Sequence, residues 1–369
     1  MRGALKFKLA NAEDDTELRA RMANDWMPGN ISVSFRREPS FFHASRVQGE
    51  TCEVIKCVDQ ETDKLVGLGS RLTRKVYING EVQQIGYLAD LRAHPDYRGG
   101  TGLLRGYRFL EELHKNDPVP FYYSMILEDN LKVNALLSSG RCGLPVYKDI
   151  GRFVTPAVYL DLPRRNLKMT GIEFRRASWE DLTDIIDFLS NTARDKQLTP
   201  VINSDYFDTP QLRDLDIGDF YLALRNGRIV GVVAAWDQTH FRQTHIEKYS
   251  GGLALMRPVY NFVSKFTPLK PLPREGSQIP YFYLAFVTIE MNNPEIFRGL
   301  LRYLYNQRRN ECWHYFIAGF HETDPLLEVL RDYRRIDVAG RLYLVYYKDG
   351  ESAIAGLLNR IPNVEMAMI

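Results

Sequence analysis

The amino-acid sequence predicts an α/β protein of the α+β kind, with twisted, mostly antiparallel mixed sheets and helices on both faces, built as two successive units. Three observations carry this. The 369 residues, 45% of them hydrophobic, suffice for two cores of ordinary size rather than one. Runs with period-two alternation and tight turns are interspersed with amphipathic stretches of helical period. The order of these elements before residue 160 recurs after residue 171.

The first unit, residues 1–163, opens with the strand "LKFKLAN", a helix over residues 14–24 and a short helix in "PSFFHASRV". A long hairpin follows, in which "TCEVIKCVD" turns through "QETDK" into "LVGLGSRLTRKVYI". Asn79-Gly80 marks the next turn, because both residues tolerate the positive φ of a tight hairpin. It leads into the strand "EVQQIGYLADLRA". Leu103, Leu104, Tyr107, Leu110 and Leu113 share one helical face, so a helix begins near Thr101 or Gly102. A strand "VPFYYSMILED", a helix "NLKVNALLSSG" stopped by Gly140, and a strand "FVTPAVYLDL" complete the unit.

The polar, basic stretch "DLPRRNLKMTG" reads as a linker. The second unit, residues 171–350, repeats strand, helix, hairpin, strand, helix and strand, and a tail covers 351–369. "DKLVGLG" is echoed by "GRIVGVV", and "GLLRGYRFL" by "GLLRYLYNQ", at matching places in the order. An insertion spans 237–280, its first part expected to be helical and its proline-rich end an extended loop.

A formal charge of +2, with both signs spread along the chain, argues against a nucleic-acid partner. No apolar run suits a leader peptide or a membrane span, so the expectation is a soluble, cytoplasmic chain without a membrane partner. Cys52, Cys57, Cys142 and Cys312 match no metal knuckle and read as reduced, buried thiols. His240, His245 and Glu247 lack the spacing that faces two histidines at one ion, so no metal site is expected.

The stretch "HPDYRGGTGLLRGYRFLEEL", residues 94–113, carries the functional signal. A basic, glycine-bearing loop opening a helix offers free N–H groups and the positive end of the helix dipole to an anion. It lacks the Lys-Ser/Thr pair of a P-loop, and Arg105 stands where a dinucleotide fingerprint needs its third glycine. The sequence "LADLRAHPDYRGG" followed by a helix instead resembles the GNAT superfamily of acyl-CoA-dependent N-acyltransferases, in element order across residues 1 to about 160 as well as in the motif. The loop is one residue longer than that pattern: counting back from Gly102, Gly99 occupies the arginine position. Gly99 and Gly100 can absorb the extra residue through positive φ.

The resemblance implies two GNAT-like units, the second degenerate, and acetyl-CoA or another acyl-CoA as co-substrate without a metal. The pantetheine arm would lie along Leu91, Arg92 and Ala93, and the pyrophosphate on Arg98, Gly99, Gly100, Thr101, Gly102 and Leu103. Asn130 and Asn134 would touch the pantetheine or adenine side. Acyl transfer to an amine needs a proton acceptor; Asp90 on the preceding strand is the first candidate and Glu128 the second. The family's usual tyrosine acid is replaced by Leu137, leaving Tyr147 as a candidate hydroxyl donor to the leaving thiolate. In the second unit "EMNNPEIFRGLL" has Glu290 and Glu295 and no glycine before the helix, which disfavours a second pyrophosphate. The expected activity is N-acylation of an amine-bearing small molecule or peptide by direct attack, the alternative being a non-catalytic acyl-CoA or metabolite sensor or scaffold.

Overall fold

A computed structural model describes residues 4–98, 101–140 and 143–369 of the chain. Strand β1 (Leu5–Leu9), helix α1 (Asp15–Ala23), strand β2 (Ile31–Arg36) and helix α2 (Phe41–Ser45) lead into the long antiparallel run β3 (Thr51–Asp59), β4 (Lys64–Ile78) and β5 (Glu81–Ala93). Asn79 and Gly80 turn this run with φ of 55° and 91°, as their side chains favour. Helix α3 (Gly102–Asn116), strand β6 (Tyr122–Leu127), helix α4 (Leu131–Leu137) and strand β7 (Val146–Tyr159) complete the first half.

The second half comprises β8 (Glu173–Arg176), α5 (Leu182–Ala193), β9 (Thr199–Pro200), β10 (Phe220–Arg225) and β11 (Arg228–Trp236). It continues through β12 (Gln243–Tyr249), α6 (Gly251–Ser264), β13 (Tyr281–Ile289), α7 (Pro294–Arg308), β14 (Tyr315–Ile317), β15 (Phe320–His321), β16 (Arg335–Tyr346) and α8 (Glu351–Ala355). Within the insertion, residues 243–249 are extended rather than helical. They pair antiparallel with β2, whose own pairing partner lies more than 200 residues away in sequence and so left no local hairpin signal.

Among the described residues one sheet of fourteen strands runs through both halves, in the order β1-β3-β4-β5-β6-β16-β7-β14-β13-β11-β10-β8, with β9 and β15 attached to β4 and β7. Strand β16 thus leaves its own half and lies between β6 and β7. Its residues demand two covered faces. Leu342 and Leu344 enter a core with Tyr87, Tyr123 and Phe153, while Tyr343 and Val345 enter one with Tyr107, Tyr122 and Tyr147. Cys57 is buried and Cys52 half-buried, but Cys312 is exposed, since it sits in the turn after α7 rather than in a core; Cys142 lies outside the described residues.

Candidate functional site

Strands β5 and β6 run parallel and pair only at Gly86–Tyr122 and Tyr87–Tyr123. Gly86 permits this approach, because a Cβ there would lie 1.9 Å from the Tyr122 ring. Beyond Tyr87 the strands separate. Ser124 Oγ still reaches back to donate to the Leu88 carbonyl at 3.0 Å, but β6 then follows β16 as far as Gly340–Leu127. A bulge redirects β5: Ala89 pairs with Ser70 and Arg92 with Leu68, so Asp90 and Leu91 together face Gly69. Asp90 takes φ of 57°, a region that Asp tolerates better than most side chains. The edge of residues 89–93 that faces β6 has no strand partner among the described residues.

Two polar groups fix the Asp90 carboxylate. Arg37 Nη2 donates to Oδ1 at 2.8 Å and Ser70 Oγ to Oδ2 at 3.2 Å. Arg37 is itself buried and held by Ser45 Oγ at 2.7 Å and Gln48 Oε1 at 3.0 Å, with its guanidinium over the Phe41 ring. Removing one member of such a buried pair typically costs about 3–5 kcal/mol, so Arg37 and Asp90 hold each other in place. The carboxylate lies on the face of the sheet that carries Ser70, Tyr87 and Tyr123, whose rings stack at 4.6 Å and whose phenols burial keeps protonated. Ile369 packs into that same core, and Arg242 binds the Ile369 and Ala367 carbonyls.

At the other end of the separated strands, α3 begins at Gly102 with Thr101 as its N-cap residue, whose side chain makes no cap bond. Gly102 approaches Leu5 closely, and a Cβ there would meet it at 3.2 Å. Asp25 pairs with Arg98, in the stretch that leads to this helix, at 3.2 Å, with Arg92 at 3.4 Å and with Arg21 at 3.7 Å. Three guanidinium groups on one carboxylate leave two positive charges in excess. Arg98 also donates from Nε to the Ala93 carbonyl at 3.1 Å, which ties the loop to the end of β5. Nε of Arg21 and of Arg92 are buried without a hydrogen-bond acceptor. Gly99 and Gly100 lie outside the described residues.

The remaining sequence candidates scatter. Leu91 is exposed, Ala93 pairs with Gly67, and Leu103 packs under α3 against the Tyr107 core. Glu128 accepts from Arg152 Nε at 3.0 Å at the end of β6. Asn130 sits at the N-cap of α4 without a side-chain cap bond. Asn134 Nδ2 donates to the Leu127 carbonyl and its Oδ1 accepts from Tyr343, so its amide braces α4 against β6 and β16. Tyr147 shares a hydrogen bond of 2.5 Å with Tyr107, and burial raises its phenol well above the usual range. That pair belongs to the core containing Tyr122, across β6 from Tyr123 and Asp90. Asp90 and Arg92 thus stand on β5 and Arg98 is tied to its end through the Ala93 carbonyl, while Tyr147 lies on the opposite face of the sheet. Sequence reasoning missed Asp25, Arg37, Ser70 and Arg21; none lies in a motif, and only tertiary pairing brings them to β5.

The second half repeats the arrangement and closes it. Strands β13 and β14 pair in parallel over Tyr281–Tyr283 and then part. Ala285 pairs with Ala234 and Thr288 with Val232, so Phe286 and Val287 bulge, with Phe286 at φ of 53°. Here the tail occupies the opening: Phe286 N–H donates to Glu365 Oε2 at 2.7 Å and Ala367 N–H to Oε1 at 3.0 Å. Burial pushes the Glu365 carboxyl up to about 7, against the pull of those two N–H groups. A cavity of about 20 Å³ remains beside it, lined by Tyr77, Thr199 and Asn363 among others, with room for about one water. The start of α7 is also taken, since Asn293 Oδ1 accepts from the N–H groups of Glu295 and Ile296, and Glu290 is paired with Arg225 and Arg228.

The sequence matches no protein-family model and no curated protein. Solved structures do match. The chain aligns over 93% of its length, at a TM-score of 0.59 and 12% identity, with a GCN5-related glucosamine N-acetyltransferase region in a fungal multi-domain GH3 β-N-acetylglucosaminidase, and spans 38% of that longer protein. A GCN5-related N-acetyltransferase from Sphaerobacter thermophilus matches 92% of the chain and 95% of its own, at a TM-score of 0.55 and 12% identity. The N-myristoyltransferase of Saccharomyces cerevisiae with bound myristoyl-CoA matches 93% of the chain and 79% of its own, at 0.56 and 11%. With its separated parallel strands, its bulge and its loop-to-helix step, this chain has the GCN5-related N-acetyltransferase fold.

Proposed function

We propose that the chain is an acyl-CoA-dependent N-acyltransferase whose first unit, residues 1–163, holds the acyl-CoA and passes an acyl group, acetyl in the simplest case, to an amine. One observation carries the reading: the edge of residues 89–93, without a strand partner among the described residues, ends beside the Arg21, Arg92 and Arg98 cluster on Asp25, and the chain continues from Arg98 toward the start of α3. An extended amide-bearing arm can add to such an edge, and a pyrophosphate suits uncapped N–H groups beside excess guanidinium charge. The residues present therefore fit the co-substrate. The second unit, residues 171–350, has its corresponding opening filled by Glu365 and its helix capped by Asn293, which supports one co-substrate site per chain.

Bound acyl-CoA supplies an electrophilic thioester carbon. The amine nitrogen forms a bond to that carbon, the carbon–sulfur bond breaks, and the thiolate takes a proton from solvent. Asp90 accepts the proton lost by the amine, held for the task by Arg37 and Ser70 on the face shared with Tyr87 and Tyr123. The test is to incubate the protein with acetyl-CoA and a panel of primary amines and follow free thiol. Amine-dependent thiol release supports the reading. Cofactor binding without release from any amine favours a sensor instead.

A further inference from the structure

Helix α6 is packed inside out. Leu255, Met256, Val259, Phe262, Val263 and Phe266, the last just beyond its end, are exposed in one continuous apolar ridge; Leu255 is 83% and Phe266 76% accessible. Apart from Leu253, which packs against Ile246 and Tyr249, the face turned inward is held by polar groups. Arg257 donates from Nε to the Pro273 carbonyl at 3.1 Å and lies over the Tyr249 ring. The Asn261 amide makes two bonds with the backbone of Leu272, at 3.0 and 2.8 Å, and Ser264 is buried. Water is the wrong solvent for such a ridge, which at 14 residues is about 21 Å long.

The charge around the ridge selects the partner. From residue 250 to 275 the chain has Arg257, Lys265, Lys270 and Arg274 against a single acid, Glu275, which accepts from the Tyr249 N–H; Lys265 and Arg274 are the exposed cations beside the ridge, while Arg257 lies half-buried beneath it. A second copy docking by this face would set like charges against each other across a two-fold axis. A convex, apolar ridge with a basic rim instead suits a fluid, anionic interface that parts to admit Phe and Leu side chains while attracting Lys and Arg. We propose that α6 docks the protein onto the surface of an anionic lipid bilayer, lying in the interfacial plane. No helix among the described residues is long and apolar enough to cross a membrane, so the contact is peripheral. It departs from the expectation of a chain without a membrane partner.

The test is co-sedimentation of the full chain with vesicles of phosphatidylcholine alone and with about one-third phosphatidylglycerol, beside the variant Leu255→Ser/Phe266→Ser. Both side chains are exposed, so the thermal midpoint of the variant stays that of the parent. The expected result is binding to the anionic vesicles that falls at least tenfold in the variant, falls with added salt, and is weaker on phosphatidylcholine. No binding to either vesicle, binding that the variant retains, or a dimer in solution that the variant dissociates would each overturn the proposal.

Discussion

Asp90 and Phe286 occupy corresponding places in the two halves, each the positive-φ residue of a bulge that follows a parallel strand pair. In the second half the Phe286 N–H is bonded to Glu365, whereas in the first the Asp90 side chain is fixed by Arg37 and Ser70 and the strand edge beyond it has no strand partner among the described residues. The same local geometry is thus closed in one half and open in the other.

Asp90→Asn preserves a side chain that tolerates positive φ and removes the proton acceptor. Because buried Arg37 loses its charged partner, the account predicts a stability loss of about 3–5 kcal/mol and, under conditions where the variant stays folded, binding of acetyl-CoA like the parent with about 10²-fold or more lost in kcat. Steady-state thiol release alongside a binding titration separates the two effects.

Tyr147→Phe deletes one hydroxyl from the Tyr107 pair on the face away from Asp90. The expected change is about 1 kcal/mol in stability and less than about threefold in kcat. A larger fall in kcat, measured with saturating co-substrate, would restore Tyr147 as an acid.

Gly86→Ala forces a methyl into the Tyr122 ring, which Arg71 and His114 hold from the hydroxyl side at 3.0 and 2.8 Å. The ring cannot withdraw without breaking those bonds. We expect a loss of about 3 kcal/mol in a denaturant titration, at the upper end of ordinary overpacking.

Glu365 gives a pH signature. Its carboxyl is raised from 4.5 to about 7, so the folded state holds a proton that the unfolded state releases, and stability from this group is present below pH 4.5 and lost as pH rises through 7. Glu365→Gln removes the dependence. The stability difference, variant minus parent, should therefore climb by up to about 3 kcal/mol between pH 4.5 and 8 in chemical denaturation.

Much of the fold was legible because its elements are locally encoded: Asn79-Gly80 turns a hairpin, and Leu103, Tyr107 and Leu110 line one face of α3. Loop residues 98–102 pointed to the helix start, whereas strict alternation sets Asp90 on the face opposite Tyr87 and cannot anticipate the bulge that brings it to the same face. Long-range pairing was not legible. Nothing near Ile31 announces that it meets Tyr249, and nothing in the alternation of β16 says that it lies between β6 and β7. The candidate site was partly hidden for the same reason, since Asp25, Arg37 and Glu365 reach β5 or its counterpart β13 through the tertiary fold alone. Exposure of the α6 ridge was equally invisible, because an amphipathic pattern does not state which face turns inward.

The central claim is that the open strand edge and the guanidinium cluster beside α3 bind acyl-CoA. Calorimetric titration of the full chain with acetyl-CoA, beside Arg98→Glu, tests it most directly. The account predicts one site per chain, with affinity reduced about 10- to 100-fold in the variant, since Arg98 is an exposed, charged donor whose loss leaves the fold intact. Absence of binding, or equal affinity in parent and variant, would contradict it.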